Sequence, residues 1–181
     1  MARLSITGVD RLMKRFEKIA NMELRDAMNW SVRLVHGQAK TLAPVNDDGG
    51  SGLAGSIHMQ VKDTGDELQG RVYTNQEYAA YVEFGTGVKG SGTYPYRIDG
   101  LNLTYRSTPW FIPADKIDAA TAEKYHFKKV YGKDGAVYYM TYGQEAQPFM
   151  YPALKNHEKA IKRKFAECVR TNVKKNSEGG Q

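Results

Sequence analysis

Tyr78-Ala79-Ala80-Tyr81-Val82-Glu83-Phe84-Gly85-Thr86-Gly87 and Ala146-Gln147-Pro148-Phe149-Met150-Tyr151-Pro152-Ala153-Leu154 are the two stretches that decide how this chain is read. Each joins large apolar side chains to glycine or proline, which is how a chain fixes an irregular backbone against a packed core. Neither carries a catalytic signature. As a pair they predict a fixed base from which residues 88–143 project, and a protein that works by shape and by docking to other proteins.

The segment between them, 88–143, holds 11 of the 20 aromatic residues in 56 positions, too many for a plain disordered linker. Its beginning, Gly90-Ser91-Gly92-Thr93-Tyr94-Pro95, reads as mobile. Further on, 126–131 and 136–142 predict a hairpin about the turn Gly132-Lys133-Asp134-Gly135, with one or two helical turns at 118–124.

Upstream, residues 2–7 read as a short strand or arm. Thr7 and Asp10 have capping-box spacing, and Leu12, Phe16 and Ile19 repeat at helical intervals, which predicts a first helix over about 9–20. The phase resets around Asn21. A second stripe then runs through Leu24, Met28, Ser31, Val35, Ala39 and Leu42, widened by Ala27, Trp30 and Leu34, until Pro44 ends it. Asn46-Asp47-Asp48-Gly49-Gly50-Ser51-Gly52 has the composition of an exposed loop. Residues 57–61 and 68–73 alternate as strands joined by a turn at Asp63-Thr64-Gly65-Asp66, and 78–84 fits a short helix or a strand closed by Gly85 and Gly87. After Pro148 and Pro152 a last helix is expected to bury Leu154, Ile161, Phe165 and Cys168.

A chain of 181 residues, 41% hydrophobic and 25% charged, fits one globular domain, expected over 1–175 with a flexible tail at 176–181. No apolar run is long enough to span a membrane, and the N-terminus lacks the apolar core of a signal peptide, so a cytoplasm is the default compartment. The single Cys168 excludes an internal disulfide and a cysteine zinc cluster. Its separation from His157 along the helix, about 16 Å, excludes a thiol–imidazole pair. The net charge of +6 is concentrated in 158–175, where seven basic residues face two acidic ones. That helix reads either as a solvated face or as a surface for nucleic acid or an acidic protein.

Catalytic and ligand constellations are otherwise missing from the sequence. The four histidines, His36, His58, His126 and His157, fall in separate elements, so no metal and no cofactor is expected. Asp47-Asp48 lacks the alternating ligands of a calcium loop. Gly85, Gly87 and Gly90 match GxGxxG spacing but lack the flanking strand and helix of a dinucleotide site. Glu83, the one acid in its apolar run, reads as a carboxylate holding a turn or a neighbouring subunit. Its alternative reading, a general base, would require a closed pocket.

In order along the chain, Ala39-Lys40-Thr41-Leu42-Ala43-Pro44-Val45, Gly52-Leu53-Ala54-Gly55-Ser56-Ile57, Tyr78 to Gly87, and Gln147-Pro148-Phe149-Met150-Tyr151-Pro152-Ala153-Leu154 form a recognisable set. The set resembles the minor tail component family of tailed bacteriophages, the gp-ten-like head–tail connection or neck proteins of siphophages. The resemblance covers about 9–170 without the middle insert. The loop after Val45 is longer than the family pattern, and 88–143 exceeds compact members.

The resemblance implies an α+β fold: a small, mostly antiparallel sheet packed against a long N-terminal helix and a C-terminal helix, with a β-hairpin-containing insert. It implies a structural virion protein at the head–tail junction or tail, assembled in the host cytoplasm and acting without catalysis as a homo-oligomeric ring, of hexameric or dodecameric size. Its partners would be itself, head-completion or connector proteins, and tail-tube or tail-terminator proteins, with no membrane. Pro44, Tyr78, Tyr81, Glu83, Phe84, Gly85, Gly87, Gln147, Pro148, Phe149 and Pro152 are the expected assembly motif. Trp110, Phe111, Tyr131, Tyr138 and Tyr139 are expected partner contacts, since aromatics are enriched at interfaces. Lys162, Arg163, Lys164 and Arg170 are the residues expected to face passing DNA. The competing readings are a nucleic-acid-binding protein using the basic last helix and a small hydrolase built on Glu83.

Overall fold

A computed structural model describes residues 9–45, 52–64 and 67–178, with side chains described over 23–45, 52–64 and 67–174. The 2–7 arm, the capping box at Thr7, the loop at 46–51, the Gly65-Asp66 step and residues 179–181 lie outside the described residues, as do the side chains of Leu12, Phe16 and Ile19. The fold is α+β, with antiparallel sheets, a long N-terminal helix and a C-terminal helix. The chain divides into two compact units: the first comprises Met1–Asn75 and Met150–Gln181, and the second is Gln76–Phe149.

In the first unit, α1 runs unbroken from Val9 to Leu42. The expected break at Asn21 does not occur. No proline lies between Val9 and Leu42, and the first glycine is Gly37, so nothing interrupts the hydrogen-bond ladder where the apolar face changes phase. The buried row on α1 is Ala27, Ser31, Val35 and Ala39, flanked by Val32 and Ala43. Trp30 and Leu42, expected in the stripe, are 40% and 36% exposed. The row is built of small residues, which brings partners close to the helix axis. The buried Ser31 hydroxyl is satisfied by donating to the Ala27 carbonyl at 2.7 Å.

The C-terminal helix α6 (Met150–Glu178) and a hairpin of β1 (Ile57–Asp63) and β2 (Leu68–Thr74) pack on α1. The hairpin is antiparallel, with Ile57 opposite Thr74 and Asp63 opposite Leu68. The Thr64 N–H donates to the Glu67 carbonyl at 3.1 Å. A methyl group on Gly70 would stand 2.5 Å from both Met28 and Val32, so this glycine sets how closely β2 approaches the helix. His36 Nε2 lies 3.0 Å from the Ile57 carbonyl and ties α1 to the start of β1. The single helical turn α2 (Gly52–Gly55) buries Leu53, and Ser56 then bridges the Leu53 carbonyl and the Thr74 hydroxyl, each at 2.7 Å.

Helix α6 continues to Glu178, into the tail expected to fray from 176. Its inward face begins with Ala153, fully buried, and continues through the half-buried His157, Ile161, Phe165 and Cys168. Leu154 is 51% exposed and does not join this stripe. Adjacent residues on a helix point about 100° apart, and here the close contact favours the small Ala153.

The second unit is made of short pieces: α3 (Ala79–Phe84), α4 (Gly87–Gly90), β3 (Trp110–Pro113), α5 (Ala119–Lys124), β4 (Lys128–Tyr131), β5 (Val137–Thr141) and the two-residue β6 (Gly143–Gln144). Residues 79–84 are therefore helical. β5 lies between β3 and β4 in an antiparallel sheet, with Trp110 opposite Thr141 and Tyr131 opposite Val137. The predicted hairpin forms, and its turn closes through the Gly132 N–H to the Ala136 carbonyl at 2.8 Å. Asp118 caps α5 by accepting from the Thr121 N–H at 2.8 Å and its hydroxyl at 2.6 Å, and these bonds hold the Asp118 carboxyl below the usual range.

Candidate functional site

Within the second unit the two motif stretches meet. Residues 143–149 run beside 82–87, and the contacts between them are mostly backbone. The Gln147 N–H donates to the Val82 carbonyl at 2.8 Å. Thr86 bridges to Gln144, and Gly87 to Gly143, as isolated antiparallel pairs. The Gln144 N–H donates to the Thr86 hydroxyl at 3.2 Å, and its side-chain amide donates to the Tyr81 carbonyl at 3.1 Å. The Lys89 N–H reaches the Tyr142 carbonyl at 3.2 Å.

Glycine is required where this pairing is tightest. Gly87 and Gly143 adopt φ of 62° and 98°, a region that side chains disfavour. A methyl group at Gly143 would overlap the Thr86 carbonyl, and one at Gly87 would overlap the Tyr142 carbonyl and stand 2.6 Å from the Trp110 ring. Gly85, with φ of 74°, turns the chain out of α3.

Glu83 holds this arrangement from inside. It is 4% exposed, and its Oε2 accepts the Phe149 N–H at 2.7 Å. The Tyr94 hydroxyl stands 3.5 Å from Oε1. A charge-assisted bond of this kind contributes about 1.5–3 kcal/mol. It also fixes the backbone of Phe149, whose side chain is fully buried. The Tyr105 hydroxyl donates to the Phe84 carbonyl at 2.9 Å, and the Thr93 hydroxyl accepts the Ala146 N–H at 2.9 Å while donating to the Gly90 carbonyl at 2.8 Å. The 90–95 stretch, expected to be mobile, is thus tied into the clasp. Glu83 is thus an acceptor for main chain within its own unit.

Glu83, Phe84, Gly85, Gly87, Gln147 and Phe149 all belong to this clasp. Pro148, half-buried, sits between two of its residues, while Tyr78 and Tyr81 are 43% and 60% exposed beside it. Pro44 and Pro152 lie in the first unit, at the end of α1 and in the first turn of α6. The sequence reading missed Thr86, Thr93, Tyr94, Tyr105 and Gln144. Their bonds join residues 11 to 63 positions apart, and neither periodicity nor turn chemistry carries a signal for such pairs.

The expected partner-contact residues separate into two sets. Phe111 and Tyr131 are 56% and 71% exposed on the edge strands, whereas Tyr138 and Tyr139 are half-buried on the central strand. Trp110 packs toward Gly87 and carries the Arg106 guanidinium 5.0 Å above its ring. Beside them a groove of about 290 Å³ is lined by Tyr81, Phe84, Leu103, Tyr105, Arg106 and Trp110.

On α6 of the first unit, Lys162 and Lys155 both bind Glu158, at 2.5 and 2.7 Å, and Arg163 lies 3.8 Å from Glu167. Hydrogen bonds from Lys155 and then Lys162 lower the Glu158 pKa to about 2, and the same contact raises that of Lys155. Lys164 lines a cleft of about 410 Å³ with Glu23, Asp26, Trp30, Glu167 and Cys168, away from Lys162, Arg163 and Arg170. Among the described residues no group of three or more His, Cys, Asp or Glu side chains gathers as a metal site, and no helix is long and apolar enough to cross a membrane.

These features define an α+β protein whose densest polar constellation shapes backbone. Residues 9–85 match the model of a bacteriophage family described as "Bacteriophage HK97-gp10, putative tail-component". The resemblance drawn from the sequence motifs and this match agree in pointing, over that segment, to a phage tail-component family. The matched segment begins at the first residue of α1 and ends at Gly85, directly after α3. It contains the first two motifs and most of the third; the fourth lies outside it, joined to the third by the clasp. No match was found among curated proteins or among solved structures.

Proposed function

We propose that this chain is a structural component of a phage tail or head–tail connection, which acts by assembling into a ring and docking to portal-side and tail proteins, without catalysis. The observation that carries this reading is the family match over 9–85. Two features support the finer statement. The β1–β2 sheet has no third strand among the described residues, so its outer edges offer backbone for pairing with another chain. In the second unit Tyr81, Phe111, Tyr125 and Tyr131 are each more than half exposed, and such side chains anchor protein interfaces. A ring needs one patch of each subunit to meet a different patch on the next. Particle-associated ring assembly makes the protein part of the virion, built in the host cell.

Native mass spectrometry and electron microscopy of the concentrated protein, alone and with isolated tail tubes or filled heads, test the reading. Closed oligomers, or stoichiometric decoration of one of those templates, are expected. A strict monomer that binds neither tails nor heads overturns it.

A further inference from the structure

The outer face of α6 carries a concentration of positive charge. Lys155, Lys159, Lys162, Arg163, Arg170 and Lys174 are all exposed. At about 100° per residue they fall within a sector of about 120°, opposite the inward row of His157, Ile161 and Cys168. They extend over about 28 Å of helix. Across α6 as a whole eight basic residues stand against three acidic ones. Two of the acids, Glu158 and Glu167, border the stripe and are already engaged with Lys155, Lys162 and Arg163.

We infer that this stripe binds the phosphate backbone of duplex DNA, independently of base sequence. A line of flexible cations suits the regularly spaced charges of a duplex. Between Lys155 and Lys174 the stripe carries no aromatic side chain, so over that length it offers no platform for stacking single-stranded bases. It equally lacks the aromatic anchors from which protein–protein hot spots are built; Val169 and Val173, near its C-terminal end, are its exposed large apolar residues. The Glu158 carboxylate occupies two of the cations in the free protein, and a phosphate group takes its place on binding. Lys164 belongs to the acid-lined cleft on the other side of the helix and is not part of the surface.

The test is fluorescence anisotropy of a labelled duplex of about 24 base pairs and arbitrary sequence, titrated with the full chain from about 50 to 200 mM salt. Binding is expected, with log K falling against log salt at a slope of about −5. Replacing Lys159, Arg163 and Arg170 together by Gln lowers affinity at least about tenfold and reduces the slope by about 3. Lys164→Gln changes neither quantity. Glu158→Gln tightens binding several-fold, a gain that misfolding cannot produce. No binding at the lowest salt, or a triple variant that binds like the parent, overturns the inference. Displacement by poly-glutamate as effective as by unlabelled duplex also overturns it, assigning the stripe to an acidic protein. The measurement is made in solution on the free chain, so failure here leaves the assembly proposal standing.

Discussion

The two units of this protein reach a fixed structure by different means. The first is made of long periodic elements: a 34-residue helix, a 29-residue helix and a seven-paired hairpin, locked by a row of small buried side chains. The second has no helix longer than six residues and no strand longer than five. It is held by a buried carboxylate, several hydroxyls and glycines in conformations other residues avoid. Periodic burial spreads stability over many equivalent contacts. A clasp concentrates it in a few atoms, so the second unit is expected to be sensitive to single substitutions that the first would absorb.

The largest expected effect is at Phe149. Phe149→Ala removes a fully buried ring and should cost about 3–5 kcal/mol in denaturant unfolding. Next is Gly143→Ala, which places a methyl group against the Thr86 carbonyl at positive φ and should cost about 3 kcal/mol. Hydrogen exchange should show that loss first in 82–90 and 142–149, with α1 still protected. Simultaneous loss of protection in α1 would mean that the units do not differ as described. Glu83→Gln keeps the shape and removes the charge, so a loss of about 2 kcal/mol is expected from the weakened Phe149 bond.

The same glycine substitution should have the opposite sign in the first unit. Gly37 lies in α1, and a methyl group added there would meet nothing within 4 Å. Gly37→Ala should therefore stabilise by about 0.5–1 kcal/mol, read as a raised Tm. The smallest effect concerns acid. Glu158 has a pKa lowered from 4.5 to about 2, so its ion pairs add stability that is fully present above about pH 4.5 and lost as pH falls toward 2. Glu158→Gln should flatten that part of the pH–stability profile by lowering stability slightly above about pH 4.5 and leaving it unchanged near pH 2, a small effect because the pairs lie at the solvent-accessible surface.

This contrast also explains what could be read from the sequence. The first unit announced itself through period: the α1 stripe, the alternating strands and the proline-led last helix are local patterns with physical meaning. Its errors were errors of phase, as at Asn21 and Leu154, where apolar residues on two adjacent faces leave the choice to packing. In the second unit the hairpin at 128–141 was legible from its glycine turn. β3 was not, because Pro109 and Pro113 bracket Trp110-Phe111-Ile112 and argue against a strand; an edge position accommodates them. The two ends of the clasp stood out through their composition. Its hydroxyl contacts did not, since Thr93 and Tyr105 look like any other loop residues until the chain is folded.

A brittle unit inserted, along the chain, between the parts of a sturdy helical one suits a protein whose work is contact, and the family match over 9–85 points to a phage particle as the place of that work. Removing the protein from its phage and imaging the lysate by electron microscopy tests this most directly. Heads and tails accumulating unjoined, or malformed tails, are expected, with infectivity restored when the intact protein is supplied. Normal, infectious particles formed without it would refute a structural role in the phage.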